Sequence, residues 1–178
     1  MQASTLSITL CALFFSTAAF SAEPYAGEET REIKSLSPQE ISNYLEGKGA
    51  GMAKAAELNH YPGPAHVLEL AQALALSETQ IRSTQSLFNA MQQGAQRLGK
   101  TLVEKEQALD QAFAQKSINR ENLKILLDQI GLIQAGIRLQ HLQAHLEQAS
   151  ILSEAQRLRY DQLRGYQSGS AHKSTHAH

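Results

Sequence analysis

The chain has no tryptophan. Aromatic residues make up 6% of its 178 residues, and all four prolines lie before residue 65. What remains is rich in Ala, Leu, Gln and Glu, which favour helix and give a sheet little support. A surplus of one charge is also missing: 16 Lys and Arg against 17 Asp and Glu leave a formal net charge of −1. Without a basic field there is no electrostatic case for nucleic acid as a partner. Cysteine is nearly absent, since Cys11 is the only one. It falls in an opening stretch that reads as a leader, so the mature chain is expected to lack both a disulfide and a thiol nucleophile. No other nucleophile arrangement stands out. Serines sit at helix starts, carboxylates are scattered along polar faces, and the chain reads as a non-enzyme with no required cofactor.

Residues 1–22 contain no charged side chain, and the apolar run Leu6 to Phe15 is too short to span a bilayer. Small residues follow up to Ser21 and Ala22, so the stretch is read as a cleavable secretory signal peptide that sends the protein to the periplasm. An uncleaved anchor is the alternative, because Lys and Arg are missing near the start. Lipidation at Cys11 is disfavoured by the bulky Leu10 before it. Residues 23–63 form an N-terminal segment. Its beginning, Glu23 to Lys34, is polar and expected to be loose. Ser37-Pro38-Gln39-Glu40 looks like a helix start, and Gly47-Lys48-Gly49-Ala50-Gly51 reads as a flexible joint.

From residue 64 the pattern is helical. Pro64 opens a helix expected over 65–74. Two pentapeptides, Leu76-Ser77-Glu78-Thr79-Gln80 and Leu152-Ser153-Glu154-Ala155-Gln156, repeat four of five letters. Each has the form of a capping box, in which the Ser hydroxyl and the Gln side chain exchange hydrogen bonds with each other's backbone amides. Between them Ile81, Thr84, Phe88, Met91, Ala95, Leu98 and Leu102 step by three and four, and Leu109 and Phe113 return to the stripe. The spacing predicts a helix from about 78 to 115, about 55 Å long at 1.5 Å per residue. Asn119 is positioned as the N-cap of a second helix, about 120 to 149. On it Leu123, Leu126, Leu127, Ile130, Ile133 and Ile137 share one face, while Ile125, Leu132, Leu139, Leu142 and Leu146 share another. A helix apolar on two faces needs two partners. One is the preceding helix of the hairpin; the other is a terminal helix or a second chain, and a homodimer is expected. A last helix is predicted from 154 to about 164, followed by a polar tail, residues 167–178, expected to be disordered. The fold class is therefore all-α, a long antiparallel helical hairpin with short flanking helices.

A secreted, all-helical, cysteine-poor chain with two pentapeptides close to Leu-Thr-x-x-Gln resembles the Spy/CpxP family of periplasmic stress proteins, which includes ZraP and, more distantly, the CnrX-type metal sensors. The similarity covers residues 64–166, with Ser77 and Ser153 standing where the motif has Thr. The resemblance implies a cradle-like homodimer. Its implied work is ATP-independent binding of unfolded envelope proteins, inhibition of a sensor kinase through its periplasmic domain, or metal binding. This chain departs from the pattern in being nearly neutral where the cradle is typically basic, and in carrying the extra segment Leu36 to Tyr61.

Phe88, Met91, Leu98 and Leu102 read mostly as core; if part of that surface is left open in a concave dimer, they are the client-binding candidates, with Arg97, Lys100 and Lys105 as a rim. The metal candidates are His141 and His145, one helical turn apart, and His172, His176 and His178 in the tail. Zinc or copper would suit two imidazoles at that spacing, with a carboxylate or a second chain completing the shell. Against this, His141 shares its angle with Leu123, where a histidine is more often packed into a core. No Glu follows His141, so this is not the zincin protease signature. His60 and His66 flank the Pro-Gly turn.

Overall fold

A computed structural model describes residues 25–166. The chain divides between Thr30 and Arg31. Residues 25–30 form a turn by themselves, closed by the Glu28 amide donating to the Tyr25 carbonyl at 3.1 Å. From Arg31 the described residues form six helices and no strand: α1 Pro38–Leu45, α2 Lys54–Glu57, α3 Pro64–Glu69, α4 Glu78–Ala114, α5 Arg120–Ile151 and α6 Glu154–Arg164.

The helix starts follow from their caps. Ser37, Ser77 and Ser153 each accept from the amide three residues on, and Glu40, Gln80 and Gln156 each reach back to the cap amide, so all three boxes are complete. Asn119 caps α5 by accepting from the Asn122 amide at 2.9 Å. Each cap satisfies a donor that the first turn cannot pair, at about 1 kcal/mol. The α4 stop comes where Lys116 turns left-handed (φ 55). Helix α6 ends at Gly165 in the same conformation (φ 72), which costs glycine little.

The 37-residue α4 and the 32-residue α5 pack along each other as an antiparallel hairpin. Ala95, Leu102, Ile130 and Ile137 form its buried seam, with Leu98, Leu109 and Ile133 beside them. Burying a Leu or Ile side chain fully is worth roughly 2–3 kcal/mol. At the open end of the hairpin, Val67, Leu74, Leu152 and Tyr160 form a second cluster, flanked by Leu70, Leu76 and Tyr166. The leucines that open the two pentapeptides, Leu76 and Leu152, therefore meet in one core.

Several expectations are corrected. Helix α3 stops at Glu69 rather than 74, because the chain tightens into turns that end at Ala75 in a left-handed conformation (φ 49). Glu23 to Lys34 is not loose throughout: Ile33 is buried, and Lys34 pairs with Asp110 at 3.1 Å. The glycine cluster is not a free joint. Its turns, with Gly47 (φ 67) and Gly51 (φ 85), lead into the short α2 and lie against the hairpin. Leu127 and Phe113, placed by spacing on inner faces, are about half exposed.

Candidate functional site

The two pentapeptides do more than start helices. Nε2 of Gln80 donates to Oε1 of Gln156 at 2.8 Å, and Nε2 of Gln156 donates back to Oε1 of Gln80 at 3.1 Å. Each amide also reaches a backbone carbonyl of the other's entry: Gln80 to Ile151 at 3.0 Å, Gln156 to Leu74 at 3.3 Å. The repeated five letters thus form one reciprocal clasp that joins the starts of α4 and α6 across 76 positions. A glutamine suits it because one amide both donates and accepts; the Glu of the first box, Glu40, offers no donor.

The second site is a buried carboxylate. Glu57, on the last turn of α2, is 8% exposed. It accepts from the Tyr160 hydroxyl at 2.5 Å and the Gly63 amide at 3.2 Å. His66 Nδ1, Arg164 Nε and His145 Nδ1 stand 3.4, 3.5 and 3.6 Å from its oxygens. One carboxylate from the N-terminal segment therefore gathers groups from α3, α5 and α6. The bonds from the Tyr160 hydroxyl and the Gly63 amide to the carboxylate are charge-assisted and stronger than neutral ones, and a buried carboxylate is costly without them. Burial, and then the bond to Glu57, push the Tyr160 hydroxyl far above the ordinary tyrosine range, so it serves as a held donor and not as a base. Beside the cluster, His60 on a left-handed backbone (φ 68) meets Asp161 at 2.9 Å.

His141 and His145 lie on the buried face of α5. His145 Nδ1 donates to the Tyr61 carbonyl at 2.7 Å, which sets its tautomer. A methyl group at Gly63 would sit 3.0 Å from its Nε2, so the chain crosses directly over the ring. His141 is covered by Gly49, where a methyl group would lie 3.5 Å from Nδ1. Its Nε2 is buried without a hydrogen-bond partner. Burial, with the neighbouring His145, holds the His141 pKa below its ordinary value. Among the described residues, no group of three or more His, Cys, Asp or Glu is arranged to hold a metal ion. His172, His176 and His178 lie outside the described residues.

A cleft of about 750 Å³ opens between residues 47–58 and the hairpin, with Phe88, Met91 and His141 on its hairpin side. Of the client-binding candidates, Phe88 and Leu98 are partly exposed, whereas Met91 and Leu102 are buried. Tyr44 and Met52 of the N-terminal segment pack on the seam that contains Leu102. On the opposite face of α5, Ile125, Leu132, Leu139 and Leu146 stand 48%, 75%, 52% and 57% exposed. Their common spacing of seven is two helical turns, so they form one stripe.

Sequence reasoning missed Glu57. It is one glutamate in a four-residue helix with no side-chain cap, and its main partner is 103 positions away. The only signal was the pair of histidines around the Pro-Gly turn, which proves to be where the chain folds over the carboxylate. No family model, curated protein or solved structure matches the chain. What the fold defines is an all-helical hairpin protein with two internal locks. None of the helices formed by the described residues is long and apolar enough to cross a membrane.

Proposed function

We propose that the protein is a non-catalytic binding protein of the periplasm, an ATP-independent chaperone or envelope-stress adaptor of the Spy/CpxP kind that works as a homodimer. The observation that carries this reading is the open stripe Ile125, Leu132, Leu139 and Leu146, on a fold whose polar clusters are spent on holding helices together. Solvent-facing apolar stripes of this length are unusual on a monomer and mark interaction surfaces. Seven-residue spacing suits a helix–helix seam, so the stripe is assigned to the second copy. The hairpin's other face, where Phe88 and Leu98 are partly exposed beside the buried Met91 and Leu102, is left for non-native chains or for the periplasmic domain of a sensor kinase; Met and Leu adapt to varied apolar partners.

The test is dilution of a chemically denatured protein into buffer with EDTA and no nucleotide, with aggregation followed by light scattering. Suppression at an equimolar ratio is expected, and unchanged aggregation at a tenfold excess overturns the reading. A second reading, zinc or copper binding, is supported by the unpartnered Nε2 of His141. The helical pair supplies only two ligands, so His172, His176 or His178, or a second chain, would complete the shell. Calorimetry with zinc and copper decides it: sub-micromolar binding that His141→Ala/His145→Ala abolishes supports the helical site, and the absence of such binding removes it.

A further inference from the structure

We infer that residues 31–63 are an autoinhibitory strap. They occupy the client face of the hairpin in the resting protein and are displaced when a non-native segment with aromatic or thioether side chains takes their place. The inference rests on the proposed binding function, and it says how that function is restrained.

The strap is anchored at two ends, and between them it is held by the packing of Tyr44 and Met52 with few polar ties. At one end Ile33 and Leu36 are buried, and Ser35 donates to Glu106 at 2.8 Å. At the other, the buried Glu57 accepts from the Gly63 amide and the Tyr160 hydroxyl. Between them α1 has no buried residue. Its polar ties to α4 are long: Gln92 and Gln96 donate to the Glu46 carbonyl at 3.3 and 3.4 Å. The strap is also strained, since Ala50 (φ 41) and His60 (φ 68) hold a left-handed conformation that is unfavourable for a residue with a side chain. Release would relieve that strain.

What lies beneath is apolar and incompletely filled. Tyr44 and Met52 cover the seam of Ala95, Leu102, Ile130 and Ile137, and the adjoining cleft leaves Phe88 partly exposed beside the buried Met91. The strap is therefore its own description of the occupant: a short segment carrying an aromatic ring and a thioether, with its backbone close to α4. That close approach depends on Gly99. A methyl group there would overlap the Tyr44 carbonyl. Position 99 thus controls the strap without belonging to the α4–α5 seam.

Gly99→Ala is the decisive variant, because alanine favours helix over glycine and should support α4 while it dislodges α1. Hydrogen exchange, binding of an apolar dye such as bis-ANS, and aggregation suppression are compared with the parent protein. The expected result is at least tenfold faster exchange in residues 38–52 with α4 and α5 unchanged, dye binding raised severalfold, and suppression at a lower ratio of protein to client. Faster exchange spread through both long helices, or no change in residues 38–52, overturns the strap. An opened strap with raised dye binding and no gain in suppression keeps the strap and rejects the chaperone reading instead. Glu57→Gln, which loosens the other anchor, provides a second variant; protection of residues 38–52 that stays at the parent level in both variants also overturns the inference.

Discussion

Gln80 and Gln156 each hold three things at once. Each completes a cap and each donates to the other and to a distant carbonyl. Gln80→Ala and Gln156→Ala should each lower stability by about 2 kcal/mol, a cap plus the stranded partners. Glu40→Ala, at a box with no cross-helix partner, should cost about 1 kcal/mol. A double-mutant cycle by urea denaturation should return a coupling of about 1 kcal/mol between the glutamines; additivity would show that the clasp contributes nothing as a pair. Tyr160→Phe removes the closest donor from a buried carboxylate and should cost about 2–3 kcal/mol in the same assay. His141 sets a pH response. Its folded-state pKa lies below the ordinary value, so the unfolded chain binds more protons as pH falls through about 6.5. Stability is therefore lost on acidification from pH 7.5 to 5.5, and His141→Leu should flatten that loss. An unchanged pH slope in the variant would show that His141 is not its source.

Among the elements, α1, α4, α5 and α6 were legible because their signals are local. A capping box needs four residues, and the 3.6 period needs only a few turns. The same locality explains what was illegible. Spacing tells which side chains share a face, not which face is covered, so Leu127 and Phe113 looked internal and are about half exposed. Helix α2 is a single turn without a side-chain cap, and its Glu57 acquires meaning only from partners on α3, α5 and α6. The candidate metal pair was found in the sequence, as was the apolar stripe on α4. What the sequence did not show is that residues 44 to 63 lie over both. At this scale Leu102→Ala, which empties a fully buried seam position, should cost about 3 kcal/mol in denaturation, whereas Phe113→Ala at the hairpin tip should stay within about 0.5 kcal/mol.

For the whole molecule, the assembly reading is exposed to a direct check. Leu132→Asp/Leu139→Asp places charge in the stripe without touching the hairpin seam. Sedimentation should show a dimer for the parent protein and a monomer for the variant, with helical content by circular dichroism unchanged; a monomeric parent would return the stripe to solvent or to another partner. The glutamine clasp has a further consequence in time. Its two halves are separated by the full length of the hairpin, so they meet only after α4 and α5 have zipped together. Local helix and hairpin contacts form early and long closures follow. The clasp then belongs to the last stage of folding, absent from the transition state. Removing it should leave the refolding rate nearly unchanged and accelerate unfolding. The repeated pentapeptide would set how long the protein stays folded, more than how fast it gets there.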